Sequence, residues 1–176
     1  ALTDEHIEMF KALCASEVAE YDGRHFQVSG KVFYPKPLQK PHPPIWIGGE
    51  SMAAIRRVVA LGDTWYPFGS NPKFRMDKLE TYAARVAVLH QVAETANRDP
   101  STIGLAYNCA FHSTRAETQN EDGRQTFTGT PEQRADDIRA FAEIGLQTMI
   151  VNVSANDKDA MFARMSEFSE NVMPLV

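Results

Sequence analysis

Hydrophobic and polar positions follow two periodicities along most of the chain, and together they predict four consecutive strand–helix units. Apolar runs of strand length lie near Ile45, Trp65, Leu105 and Ile150. Each run is followed by a stretch in which apolar residues recur at intervals of three and four, the spacing of a helix with one buried face. Strands and helices that alternate in this way form a parallel sheet with right-handed crossovers.

Four strand–helix units fit two architectures, which the periodicity does not separate. One is a small open α/β sheet, and the other is half of an eight-fold β/α barrel, whose usual length is about 250 residues. The prediction is a single α/β domain over residues 1–176, with the four units in residues 43–176. Residues 1–42 are predicted to hold a helix that begins near Thr3 and an irregular insertion, because residues 26–34 alternate too irregularly for a strand.

Local signals refine several of these elements. Ser51 is placed to cap the helix after the first strand, and Thr130-Pro131-Glu132-Gln133 combines a capping box with proline at the first helical position. A long helix is predicted from about residue 74 to residue 97, and a last helix over residues 157–172. The apolar run Thr148–Val153 predicts a strand that is covered on both faces.

The junction between the first strand and its helix carries the sequence Gly48-Gly49-Glu50-Ser51. Glycines permit a positive φ and let a ligand approach the backbone closely. The first amides of the following helix lack intrahelical partners, and the helix dipole adds a partial positive charge there. These features favour an anion site, although a tight strand-to-helix turn explains the same residues. The carboxylate of Glu50 would repel an anion unless it points away.

Composition and charge narrow the classes of function. The chain has 176 residues, 43% of them hydrophobic, and a net charge of −5 without a clustered basic run. We therefore expect no nucleic acid and no anionic membrane as the main partner. No apolar stretch approaches the roughly 20 residues that span a bilayer, and the start of the sequence lacks a signal peptide. Cys14 and Cys109 lie far apart, which predicts buried free thiols and a cytoplasmic protein.

Few side chains stand out as catalytic candidates. His112 follows the strand predicted over residues 103–111, and active sites of β/α barrels lie at the carboxyl ends of the strands. A histidine there can act as an acid, a base or a hydrogen-bond donor, so His112 is a weak catalytic candidate, with a surface loop position as the alternative. The other histidines lack metal-site spacing, so no metal is predicted. Arg56 and Arg57 are predicted to face solvent.

Two segments of the sequence resemble a known family. Residues 21–67, YDGRHFQVSGKVFYPKPLQKPHPPIWIGGESMAAIRRVVALGDTWYP, resemble the central part of luciferase-like monooxygenases. They are most similar to the branch described as probable F420-dependent oxidoreductases. The shared motifs are the proline-rich run that ends in Gly48-Gly49, the paired arginines, and the segment Leu61–Pro67. Residues 129–151, GTPEQRADDIRAFAEIGLQTMIV, are similar to the last helix and eighth strand of the family.

The resemblance implies the C-terminal half of a (β/α)8 TIM barrel, with strands five to eight near the four apolar runs. It also implies a partial cofactor site. The turn after the fifth strand would hold the cofactor phosphate, through Gly48, Gly49, Glu50 and Ser51. Asp63 and Trp65 match the Asp-Gly-Trp of the family, with Thr64 in place of the glycine, and would line the pocket. The alternative for these two residues is packing at the start of a strand.

The activity that the resemblance implies is hydride transfer between a reduced cofactor and a small organic substrate. The implied cofactor is F420, with FMN as the alternative. A lone half barrel leaves two strand edges unpaired and an apolar face uncovered. We therefore expect a truncation that associates with a second copy of itself or with a missing N-terminal half. Two alternatives remain: a non-catalytic half-barrel remnant that self-associates and binds cofactor weakly or not at all, and a small open α/β binding domain.

Overall fold

The computed structural model describes residues 2–110, 113–117 and 123–176. Within these ranges the chain alternates strands and helices, after an N-terminal helix and a hairpin. The elements are α1 Leu2–Ala15, β1 Val18–Asp22, β2 Gln27–Val32, β3 Trp46–Gly48, α2 Met52–Leu61, β4 Thr64–Tyr66, α3 Leu79–Thr95, β5 Gly104–Cys109, α4 Pro131–Glu143, β6 Thr148–Val151 and α5 Lys158–Glu167. The chain continues through a π-helical turn, Phe168–Val172, into a short 3-10 turn, Met173–Leu175.

Strands β3, β4, β5 and β6 form one parallel sheet in sequence order. Ile47, Trp65 and Leu105 lie side by side in its register. The predicted series of four strand–helix units with parallel strands is therefore confirmed. Ser51 and Thr130 cap α2 and α4 as predicted, and Thr130 forms the full capping box with Gln133.

The core lies on the face of the sheet that carries the helices. Trp65 is fully buried and stacks on Tyr82 of α3, with ring centroids 5.8 Å apart. Tyr82 in turn stacks on Phe141 of α4 at 5.1 Å, and Tyr107 of β5 meets Tyr82 edge-on at 5.5 Å. Because side chains alternate along a strand, the residues between these core positions point to the opposite face.

We call that opposite side of the sheet the open face, and it is defined by Trp46, Gly48, Tyr66, Asn108 and Ile150. Much of this face is uncovered by the described residues, since Trp46 and Ile150 are 41% and 42% exposed. The prediction that β6 is covered on both faces is therefore wrong. Thr148 and Ile150 are exposed, while Met149 and Val151 are only partly buried.

The N-terminal insertion is more regular than its sequence predicted. Strands β1 and β2 pair as an antiparallel hairpin, in which Val18 lies opposite Val32. The register shifts between Ala19 and Tyr21, and Gly30 in β2 has a φ of +65°. This bulge and the left-handed glycine disturb the alternation of side chains, which explains why no strand was predicted for residues 26–34.

One predicted helix is shorter in the structure, and the last one keeps its predicted end at Val172 but changes from an α-helix to a π-helix on the way. Helix α3 begins at Leu79 rather than near residue 74, because the preceding segment is held in the core instead of turning into a helix. Met76 and Asp77 are buried, and the Tyr107 hydroxyl donates to the carbonyl of Met76 at 2.9 Å. The last α-helix ends at Glu167, where the π-helical turn begins.

Two further observations concern Arg57 and the cysteines. Arg57, predicted to face solvent, forms an ion pair with Asp4, so it joins α2 to α1. Cys14 and Cys109 are buried and form no disulfide, as predicted. The cytoplasmic location inferred from them stays a prediction. In the described ranges, every helix is too short or too polar to cross a membrane.

Candidate functional site

The turn between β3 and α2 has a conformation that needs glycine. Gly49 has a φ of +103°, in the left-handed region that favours glycine, and a Cβ there would lie only 3.2 Å from the Ala54 side chain. Ser51 then begins the helix, with its hydroxyl accepting from the Ala54 amide at 3.2 Å. The remaining amides of the first turn of α2 have no intrahelical acceptor, which is the condition for an anion site.

Glu50 is buried beneath the turn and does not lie on its solvent side. Its side chain is 4% exposed, and one carboxylate oxygen accepts from the Phe68 amide at 2.6 Å. The other oxygen accepts from the Asn71 side chain. The backbone carbonyl of Glu50 accepts from Arg85 Nε of α3 at 2.9 Å. The residue therefore ties the turn to the loop after β4, and its carboxylate is already satisfied by two donors.

Trp65 supports the turn from behind the sheet. Its indole Nε1 donates to the carbonyl of Gly49 at 2.9 Å, and the side chain has no exposed surface. This burial removes Trp65 from any surface that a cofactor can reach in this structure, contrary to its predicted place in the pocket lining. The physical reason is strand parity, because Trp65 points towards the helices and its neighbour Tyr66 points to the open face.

Asp63 lies at the amino ends of the strands, whereas the turn lies at their carboxyl ends. Its carboxylate accepts from the Ile45 amide at 2.7 Å and lies 3.8 Å from His42 Nδ1. Its own amide donates to the Ile45 carbonyl at 2.8 Å. These contacts join the amino ends of β3 and β4, whereas Gly48 ends β3 at the carboxyl edge. The structure therefore supports the alternative of strand-start packing for Asp63 and separates it from the turn.

Two polar residues at the carboxyl edge were not predicted as site residues. Tyr66 lies beside Gly48 in the register of β3 and β4, and the Asn108 side-chain nitrogen donates to its hydroxyl at 2.6 Å. The rings of Trp46 and Phe68 flank the Tyr66 ring, each at 5.5 Å. In the structure Trp65 is buried and its neighbours in β4 are half-buried, which assigns Tyr66 and not Trp65 to the open face.

The remaining predictions about the site concern His112 and metals. His112 lies outside the described residues, so its catalytic role stays a prediction. Among the residues that the structure describes, no three histidine, cysteine, aspartate or glutamate side chains are grouped to hold a metal ion.

Parallel strand–helix units with a ligand-compatible turn at the carboxyl edge of the sheet are typical of α/β proteins, both barrels and open sheets. A model of the luciferase-like monooxygenase family matches residues 1–121, more than half of the chain. The chain therefore belongs to the luciferase-like monooxygenase family, as its motifs predicted.

Solved structures of luciferase-like enzymes share the fold. The coenzyme F420-dependent tetrahydromethanopterin reductase from Methanopyrus kandleri is 14% identical, with 95% of this chain and 60% of that chain covered and a TM-score of 0.68. An F420-dependent secondary alcohol dehydrogenase, in complex with an F420–acetone adduct, is 15% identical, with 99% and 61% covered and a TM-score of 0.73. A riboflavin lyase, crystallised with modified FMN and riboflavin, is 15% identical, with 99% and 56% covered and a TM-score of 0.70.

The extent of this likeness decides between the two architectures. This chain spans about 60% of the length of the F420-dependent structures and matches them along nearly its whole length. The half of a β/α barrel is therefore confirmed over the small open sheet.

Proposed function

We propose that this chain supplies the phosphate-binding part of the cofactor site of an oxidoreductase, with F420 as the cofactor and FMN as the alternative. The observation that carries the proposal is the inward-facing carboxylate of Glu50. Its two donors, the Phe68 amide and the Asn71 side chain, hold the carboxylate against the loop after β4, so it does not point out of the turn towards an approaching anion. Family membership and the F420- and FMN-containing neighbours support the choice of cofactor.

The residues of the turn fit a phosphate group. Gly48 and Gly49 carry no side chain that would keep a ligand from the backbone, and the first turn of α2 offers amide donors and a partial positive charge. Ser51 stands at the start of that helix. When bound, the reduced deazaflavin or flavin supplies the hydride. This chain would bind the phosphate, fix the orientation of the cofactor and exclude water from the turn.

The test uses two substitutions at Ser51 that differ only in charge. Aspartate and asparagine both cap helices about as well as serine, so Ser51→Asp and Ser51→Asn should keep α2 intact. The added carboxylate of Ser51→Asp would face the phosphate. We expect it to weaken F420 and FMN binding by at least about tenfold, and Ser51→Asn to bind within about twofold of wild type. Quenching of cofactor fluorescence measures both dissociation constants.

Riboflavin is the control ligand, because it has the ring system of FMN without the phosphate. Ser51→Asp should leave riboflavin binding unchanged. Equal effects of Ser51→Asp on FMN and riboflavin would contradict a phosphate site at this turn. Binding of neither cofactor to the wild-type chain would favour the non-catalytic remnant.

The open face supports a second proposal, that the chain associates with another body. Trp46, Phe68 and Ile150 are each more than 40% exposed, and β3 and β6 are the edge strands of the sheet. Exposed apolar faces and unpaired strand edges mark surfaces that pair with other chains. We propose a second copy of this chain or further strand–helix units as the covering body. Sedimentation tests this directly, and a folded monomer at micromolar concentration would contradict self-association.

A further inference from the structure

We propose that the Tyr66 hydroxyl donates a hydrogen bond to an oxygen atom of the organic substrate, and that Asn108 is its positioning residue. The substrate class that fits is a small uncharged carbonyl compound or alcohol. This inference rests on the proposed function for its role in catalysis. Its chemistry follows from five residues: Trp46, Gly48, Tyr66 and Asn108 of the open face, and Phe68 in the segment after β4.

Asn108 is fixed by its backbone on both sides. Its amide donates to the Pro67 carbonyl at 3.1 Å, and its carbonyl accepts from the Gly69 amide at 3.1 Å. The origin of its side chain is therefore set by the segment that follows β4. From there the side-chain nitrogen reaches the Tyr66 hydroxyl oxygen at 2.6 Å.

The direction of this bond determines what Tyr66 can do. An amide nitrogen only donates, so the Tyr66 oxygen accepts and its own hydrogen points elsewhere. Across the described ranges, no side chain or carbonyl accepts that hydrogen in a hydrogen bond. Tyr66 is therefore presented as a donor with a defined orientation.

The space beside this donor is a notch with aromatic walls. Gly48 lies next to Tyr66 in the sheet, and a Cβ there would meet the Tyr66 carbonyl at 3.5 Å and the Phe68 ring at 3.9 Å, which is ordinary van der Waals contact. Trp46 and Phe68 flank the notch and are 41% and 43% exposed. Apolar walls with one placed polar group are typical of small-molecule sites.

The chemistry of the notch disfavours anionic ligands. The five residues carry no formal charge, and the Phe68 amide is bonded to the buried Glu50 carboxylate, so a ligand carboxylate would lose hydration there and meet a like charge. A small carbonyl compound or alcohol has one oxygen atom that can accept from Tyr66, and the rest of the molecule is apolar and can contact Trp46 and Phe68. This match of donor and walls is the reason for the proposed substrate class.

The experiment titrates the ¹⁵N-labelled full chain with cyclohexanone in the absence of cofactor. The chain has two tryptophans, so its NMR spectrum has two indole N–H signals. Trp46 reports on the notch, and the buried Trp65 reports on the fold. We expect a saturable shift of the Trp46 signal alone. Tyr66→Phe should raise the dissociation constant about three- to tenfold, the range of one lost hydrogen bond.

Two substitutions at Asn108 separate positioning from packing. A carboxylate only accepts, so in Asn108→Asp the Tyr66 hydrogen is taken by the new side chain, and binding should weaken as much as in Tyr66→Phe. Asn108→Leu removes the donor that orients the Tyr66 hydroxyl but leaves its hydrogen available, so binding should weaken by about two- to threefold, less than in Asn108→Asp. Thr148→Ala, at the far end of the same face, is the matched control and should bind as wild type does.

Three results would overturn the proposal: no Trp46 shift in the wild type, an unchanged dissociation constant in both Tyr66→Phe and Asn108→Asp, or equal losses in Asn108→Asp and Asn108→Leu. A variant that loses the Trp65 signal has lost its fold, and the remaining variants then decide. Because no cofactor is present, failure here is distinct from failure of the phosphate site, which the Ser51 variants test.

Discussion

Replacement of Glu50 by glutamine tests the central observation about the turn. The carboxylate accepts hydrogen bonds from the Phe68 amide and the Asn71 side chain while 4% exposed. A hydrogen bond to a charged group contributes about 1.5–3 kcal/mol. The carbonyl oxygen of glutamine can still accept from Phe68, but its NH₂ group would face the NH₂ group of Asn71. One charged bond is lost and the other becomes neutral, so we expect Glu50→Gln to lower the free energy of unfolding by about 2 kcal/mol.

Urea denaturation followed by the fluorescence of the buried Trp65 measures this loss. Glu94→Gln, at an exposed position of α3, is the matched control and should stay within about 0.5 kcal/mol of wild type. The same variant tests the binding argument. If the Glu50 charge opposed an anion at the turn, its removal would tighten FMN binding. We expect no tightening, because the two donors hold the carboxylate against the loop after β4. A Glu50→Gln protein as stable as wild type, or one that binds FMN more than threefold tighter, would refute this reasoning.

Two more predictions concern other parts of the structure. The hydroxyl of Tyr82 is buried and has no partner among the described residues, whereas that of Tyr107 donates to the Met76 carbonyl at 2.9 Å. Tyr82→Phe should therefore keep or raise the free energy of unfolding by up to about 1 kcal/mol, and Tyr107→Phe should lower it by about 1 kcal/mol, in the same urea assay. A loss in Tyr82→Phe larger than in Tyr107→Phe would contradict this. The hydrogen bond from Arg57 holds the pKa of Asp4 below its ordinary value of 3.8. A depressed folded-state pKa stabilises the protein above the ordinary pKa, and the stabilisation is lost as the pH falls towards the folded value. Between pH 5 and pH 3 the wild type should lose more stability than Asp4→Asn, and equal losses would contradict the pairing.

The order of the elements and the location of the turn could be predicted because both depend on local sequence. Apolar periodicity identified the four strands and their helices. The glycine pair and the capping serine marked the start of α2 and the conformation of Gly49. Helix caps act within four residues of each other, so one sequence is enough to recognise them. The hairpin was missed for the opposite reason, since pairing of β1 with β2 depends on a bulge that local alternation conceals.

The composition of the site was harder to predict because it depends on which face each strand residue occupies. A shift of one position moves a side chain from the helices to the open face. Trp65 was assigned to the pocket and Tyr66 was not, although β4 holds both. Three-residue strands such as β3 and β4 contain too few positions to fix this parity from sequence. Glu50 posed a related problem, since its donors lie 18 and 21 residues further along the chain.

The candidate site has two parts, the turn between β3 and α2 and the notch beside Tyr66. They differ in how much they depend on the body that covers the open face. The turn is completed by this chain alone, because Trp65 and Arg85 hold its carbonyls and Glu50 binds the next loop. The notch beside Tyr66 has walls on the sheet side only, with Trp46 and Phe68 both exposed. A covering body would add contacts to a ligand in the notch and few to a phosphate at the turn. Phosphate binding should therefore be insensitive to protein concentration. Cyclohexanone binding should tighten as the protein concentration rises if a second copy adds a wall to the notch without blocking its entrance.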